Sequence, residues 1–228
     1  MGTLTCQSIA DKAWTKVNEA TGGSAVRWPT AEAFGWICDG QREIVNQLPR
    51  SYAVRSTPTV VAGTRQTLTG LGLTSAIQVL DVVANYNAAG TVRGRAITKR
   101  NRAEIDDQVP TWHSATASEA VHWYFDDQDP KAFYIYPAIL SAAGKLEIIT
   151  ADSPADPASI AAAITLDDTY ANALQFFVLF SFYSKDATYT KSPQAAATYW
   201  NLFQGSLGIR GQNIAGSDKA SDMKAVGA

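Results

Sequence analysis

Residues 121–137 read VHWYFDDQDPKAFYIYP, and the strict alternation on each side of the acidic centre leaves few ways to fold them. Val121, Trp123 and Phe125 alternate with His122 and Tyr124, while Phe133 and Ile135 alternate with Tyr134 and Tyr136. Successive side chains of a strand point to opposite faces, so pairing Phe125 with Phe133 gathers the apolar set on one face. The segment therefore predicts an antiparallel hairpin with residues 126–132 as its loop, where Asp126, Asp127, Asp129 and Pro130 suit turn geometry. A hairpin with one apolar face needs a partner layer, so the rest of the chain must supply a core.

The ends of the chain follow a helical period instead. Cys6, Ile9, Ala10, Ala13, Trp14 and Val17 predict a helix over 3–20, ended by Thr21-Gly22-Gly23. A second begins at Pro29-Thr30, with Thr30 as the expected N-cap, carries Phe34, Ile37, Ile44 and Leu48 on one face, and closes at Pro49. The short glycine-containing connection favours an antiparallel pair. Toward the other end, Asp167 is placed to cap a helix running to about 184, whose aromatic residues on nearly all sides predict burial between other helices. Ser192-Pro193 opens a last helix with Ala196, Tyr199, Trp200, Phe203 and Leu207 on one face, expected to stop at Gly208.

Between these helices, β-branched and aromatic runs are broken by Gly, Pro and Asn. Strands are predicted at 59–62, 77–86, 120–125, 133–136 and 146–150. The second also fits a helix through Ile77, Leu80 and Ala84, but Val79, Val82 and Val83 favour a strand. Residues 98–108 read as a short polar helix capped by Thr98 and ended by Pro110. Residues 209–228 hold no aromatic residue and are rich in Gly, Ala, Ser, Asp and Lys, so they predict an extended tail. The expected fold class is α+β: a helical bundle from 1–50 and 158–208, a β-rich insertion over 51–157, and the tail 209–228.

Nearly half of the 228 residues are apolar, enough for a sizeable core, and a net charge of −2 spread along the chain gives no strong field for nucleic acid or a membrane surface. Cys6 and Cys38 lie on apolar helix faces and read as buried free thiols, in keeping with folding in a reducing cytoplasm. No signal-peptide pattern opens the chain. The most apolar stretch, ALQFFVLFSFY at 173–183, contains Gln175 and falls short of the roughly 20 residues a membrane span needs, so it reads as a core helix.

Chemistry finds little support. Read as a calcium loop from Asp127, the hairpin tip puts Lys131 at the fifth position and Ala132 where glycine is required. A wet loop also lacks the burial that would split the pKa values of an acid–base pair. His113 and His122 are the two histidines, no H-x-x-x-H or C-x-x-C spacing exists, and neither a G-x-S-x-G elbow nor a G-K-[ST] loop is present. Gly70-Leu71-Gly72 reads as a turn rather than a dinucleotide fingerprint. No catalytic residue, metal ligand or cofactor is expected. Lys99, Arg100 and Arg102 read as a solvated helix face ahead of an anion or acidic-partner contact. The tail is either a loose terminus or a segment that docks on a partner through Ile209, Arg210, Ile214, Met223 and Val226.

Five stretches taken together resemble a family of phage head-to-tail adaptor, or connector, proteins of tailed, mainly short-tailed, phages. They are RWPTAEAFGWICDGQREIVNQLP at 27–49, VAGTRQTL at 61–68 with QVLDVVAN at 78–85, VPTWHSATASEAVHWYFDDQDPKAFYIYP at 109–137, and LDDTYANALQFFVLFSFYSKDATY at 166–189. The resemblance implies a non-enzymatic virion protein, assembled in the host cytoplasm and located in the neck or tail. It implies a homo-oligomeric ring, usually of twelve subunits, between the portal protein and a tail nozzle or tail tube protein. DNA would pass through that ring without sequence recognition, and no membrane is involved. By position, residues 209–228 would bind portal, and the Asp126–Asp127–Asp129 tip would lie at an interface. Two other readings stand beside this one: a metal-assisted hydrolase built on Asp126, Asp127 and Asp129, and a carbohydrate-binding tail module using an exposed face of Tyr124, Tyr134 and Tyr136.

Overall fold

The computed structural model describes residues 2–18, 27–140, 144–186 and 192–225, the last of these from 209 onward as backbone alone. Its elements in chain order are α1 (Cys6–Lys16), α2 (Thr30–Gln47), β1 (Ala53–Ser56), β2 (Arg65–Thr67), β3 (Ala76–Tyr86), β4 (Arg93–Ala96) and β5 (Thr98–Lys99). There follow α3 (Arg102–Gln108), β6 (Thr116–Ala117), β7 (His122–Phe125), β8 (Ala132–Tyr136), β9 (Ala138–Ile139), β10 (Lys145–Asp152), α4 (Ala171–Lys185) and α5 (Ser192–Ala225). The class is α+β, and the chain divides into two compact units, Met1–Ser51 with Pro154–Ala228, and Tyr52–Ser153.

In the helical unit, α1 buries Cys6, Ile9, Ala10, Ala13 and Trp14, and the Thr5 side chain caps it by accepting from the Ser8 N–H. The expected stop at 21–23 lies outside the described residues; the described helix already ends at Lys16, with Asn18 at φ 57°. At α2 the expected cap is corrected. Pro29, extended at ψ 150°, occupies the N-cap position, and Thr30 is the first helical residue. The buried Thr30 hydroxyl consequently makes no hydrogen bond.

A short tertiary lattice ties this unit together. The Gln41 side chain, 1% exposed, accepts from the Thr165 and Leu166 N–H groups at 2.7 and 3.2 Å. Trp14 Nε1 donates to the Trp28 carbonyl, and Trp28 Nε1 donates to the Phe182 carbonyl. Asp167 caps the turn that leads into α4, accepting from Thr169. α4 is apolar on all sides and packs against α1, α2 and α5. Its aromatic side chains meet those of α5 in the pairs Phe177–Phe203, Phe180–Trp200 and Tyr183–Tyr199. The descending numbers opposite ascending ones make α4 and α5 antiparallel, and offset aromatic contacts of this kind add about 0.5–1.5 kcal/mol each beyond their burial.

The backbone of α5 does not stop at Gly208 but stays helical for 34 residues, about 50 Å at 1.5 Å per residue. Glycine costs a helix about 1 kcal/mol but keeps its N–H, and the sequence after Gly208 has no proline to force a stop.

The β unit holds two four-stranded sheets, ordered β1-β10-β3-β4 and β2-β8-β7-β5, and a small β6-β9 pair. Val79, Val82, Leu146 and Ile148 of the first share one core with Trp123, Phe133 and Ile135 of the second and with Leu68, which follows β2. The 77–86 segment is strand throughout. Two expectations are corrected here. Residues 59–62 are not a strand: Thr59 makes one isolated bridge to Lys145, and the Gln66 side chain then holds a loop through Val61 and Gly63, which sits at φ 103°. Residues 98–108 are not one helix either. Thr98 and Lys99 pair in parallel with His122 and Trp123, and Asn101 rather than Thr98 caps α3.

Candidate functional site

The hairpin forms in the register its alternation requires, with His122 opposite Tyr136, Trp123 opposite Ile135, Tyr124 opposite Tyr134 and Phe125 opposite Phe133. Trp123, Phe133 and Ile135 are fully buried in the shared core. The opposite face is not an open tyrosine platform. Tyr124 is 2% exposed, and Tyr124, Tyr134 and Tyr136 pack beneath Ile105 and Trp112. Trp112 sits 5.6 to 6.3 Å from all three tyrosine rings, its Nε1 donates to Asp106, and Arg102 lies 4.4 Å over Tyr134. Burial and the neighbouring Tyr136 push the Tyr124 hydroxyl up to about 12. The face proposed for carbohydrate stacking is thus the floor of a second small core. Its sequence signal was the pair Ile105 and Trp112, two large apolar residues seven apart.

The acidic tip is built as a turn. Asp126, 8% exposed, accepts the Gln128 N–H on its carboxylate and the Asp129 N–H on its carbonyl. Asp129 accepts the Lys131 N–H and pairs with Arg65 at 3.2 Å. Asp127 alone of the three points elsewhere, lining a groove of about 570 Å³ with Lys99, Arg100, Asn101, Arg102, Glu104 and Phe125. Two of the three carboxylates are thereby committed to their own loop. Among the described residues no group of three or more His, Cys, Asp or Glu side chains is placed to hold a metal ion. The hydrolase reading therefore finds no convergent carboxylate set at the tip.

The histidines are separately engaged. Thr64 Oγ1 lies 2.8 Å from Nδ1 of His113, whose ring stacks on Trp112; Thr98 Oγ1 lies 2.8 Å from Nδ1 of His122. Desolvation, with Arg100 and Arg95 adding to it, lowers the His122 pKa below its ordinary 6.5. Cys6 and Cys38 are free and buried, and burial pushes both thiols up to about 11.

Lys99, Arg100 and Arg102 do not share a helix face, since Lys99 is in β5 and Arg102 opens α3. Lys99 lies over the rings of Trp123 and Phe125. Two polar residues that the sequence did not single out organise this neighbourhood. Asn85, buried on β3, donates to the carbonyls of Arg95 and Ala120 and accepts from the Ala120 N–H. Glu147, its side chain 5% exposed, pairs with both Arg55 and Arg93. Ile209, Arg210, Ile214 and Met223 fall on the helical backbone of α5, with side chains outside the described part; Val226 lies outside the described residues.

The chain thus pairs a helical unit with a β unit, and the hairpin tip, the tyrosine face and both histidines are engaged in turns, packing and local hydrogen bonds. The SU10 adaptor protein model matches residues 4–225, and the chain belongs to that family of phage head-to-tail adaptors. It is accordingly a phage structural adaptor protein, a component of the virion neck. The match runs through the residues expected to form the tail. No curated protein matches the chain. Among the described residues no helix is long and apolar enough to cross a membrane.

Proposed function

We propose that the chain assembles into a closed ring of about twelve copies below the portal protein, joins the capsid to a tail nozzle or tail tube protein, and continues the DNA channel. The family match across residues 4–225 carries this reading. The helical part (1–50 and 158–208) faces the portal and the β-rich part (51–157) faces the tail. Residues 209–228 dock on portal through Ile209, Arg210, Ile214, Met223 and Val226. A helix of about 50 Å that continues through residues 209–225 supports that assignment, because it gives the docking segment a regular backbone. The Asp126–Asp127–Asp129 tip lies at an interface in the ring. Its role there is contact, not chemistry.

Purified chain mixed with portal and imaged by electron microscopy tests the reading: rings stacked on portal are expected, and persistent monomers would refute it. Deleting 209–228 should leave the fold intact and weaken portal attachment. Normal portal binding by the truncated chain would reassign the docking element.

A further inference from the structure

We propose that residues 93–102 form an electrostatic stripe that contacts the phosphate backbone of duplex DNA. This deepens the channel reading and rests on it for the occasion of contact, although the binding itself is measurable without a ring.

The charge is local where the whole chain is nearly neutral. The run RGRAITKRNR at 93–102 holds five cations and no carboxylate. Every residue of β4 is exposed, as are Thr98, Lys99, Arg100 and Asn101, and the segment is anchored by Ile97, 7% exposed. β4 is an edge strand, so one side of it has no strand partner, and Arg93 and Arg95 both lie on it. Asn85 fixes that edge by its bond to the Arg95 carbonyl.

Neutralisation is incomplete. Glu147 is shared between Arg93 and Arg55, so one carboxylate answers two guanidinium groups. Arg102 pairs with Asp106 of its own helix. Arg95, Lys99 and Arg100 have no ion pair among the described residues. Arg95 and Arg100 both act on His122, which places their charges around one ring. The opposing charges at the rim are Glu104 and Asp127 in the groove and Glu119, whose carboxylate stands beside Gly94.

The choice of DNA over a protein partner follows from what the stripe lacks. A protein interface draws its affinity from apolar or aromatic anchors, and the exposed apolar side chains within 91–102 are Val92 and Ala96 alone. A phosphate backbone needs only cations, and four of the five here are arginines, whose planar forks match phosphate.

The test titrates the full chain into a labelled random-sequence duplex and follows anisotropy from about 50 to about 200 mM salt. Three free cations predict a slope of roughly −2.7, a loss of roughly 40-fold in affinity over that range. Arg95→Gln with Arg100→Gln should weaken low-salt binding at least tenfold and reduce the salt effect to roughly threefold. Lys12→Gln with Lys16→Gln removes the same charge from α1 and should change neither. Equal binding by the β4–β5 variant, or an equal loss in the α1 variant, overturns the proposal. Capture of polyglutamate without capture of DNA overturns it in favour of an acidic protein segment. Native mass separates the two readings: a chain that forms no ring yet loses DNA affinity in the Arg95/Arg100 variant refutes the channel and leaves the stripe.

Discussion

Asn85→Ala should be among the most damaging single changes in the β unit, although it removes only one polar side chain. Asn85 is 3% exposed and makes three hydrogen bonds, to the Arg95 carbonyl at 3.0 Å and to both the carbonyl (2.8 Å) and the N–H (2.9 Å) of Ala120. Arg95 is exposed, so water can replace that bond at little cost. Ala120 is fully buried, so its two backbone groups lose their partner with no water to take over. Each orphaned buried group costs about 1–3 kcal/mol, so the two together put the variant about 2–6 kcal/mol below wild type. Asn85→Asp should be no better, because a carboxylate keeps the acceptor but faces two carbonyls without a donor. Urea unfolding with circular dichroism reads the total, and hydrogen exchange at the Ala120 amide reads the site. A loss under about 0.5 kcal/mol together with unchanged Ala120 protection would refute this accounting.

Phe203→Ala, which empties a fully buried site between Phe177 and Trp200, should cost about 3–5 kcal/mol and lower the thermal unfolding midpoint of the helical unit; an unchanged midpoint would mean that α5 is not packed on α4 as described. At the hairpin tip, Asp126→Ala and Asp129→Ala should each lose about 1 kcal/mol with their turn hydrogen bonds, while Asp127→Ala should be near neutral by the same urea titration. Loss centred on Asp127 would contradict the turn. His122 is lowered in the folded state, so the unfolded chain binds the proton more readily and stability falls as pH drops below about 6.5; His122→Gln should flatten that acid limb of the unfolding midpoint against pH, and an unaltered limb would remove His122 as its cause. Both thiols, held up to about 11, should react with iodoacetamide at pH 8 only as the chain unfolds, which mass spectrometry of quenched samples can follow.

What the sequence determined by itself is the set of features written into single segments. Period-two alternation around 126–132 specifies the hairpin and its register, because slipping by one residue would turn Trp123, Phe133 and Ile135 out of the core. Helical spacing likewise marks the buried face of α1, apolar content all round marks α4 as an inner helix, and the apolar faces that received Cys6 and Cys38 are legible in the same way. What only the tertiary structure decided depends on residues far apart in the chain. Thr98 and Lys99 are polar and helix-compatible, yet they become a strand because the exposed edge of β7 offers them a backbone partner. The tyrosine face looks open in the hairpin alone and is closed by Ile105 and Trp112 arriving from another segment. Asn85 and Gln41 are unremarkable in sequence, and become structural because each meets backbone groups that burial has cut off from water, 35 residues away at Ala120 and 124 away at Thr165. Local periodicity is set by neighbours along the chain, whereas the satisfaction of buried polar groups is set by which neighbours folding brings together.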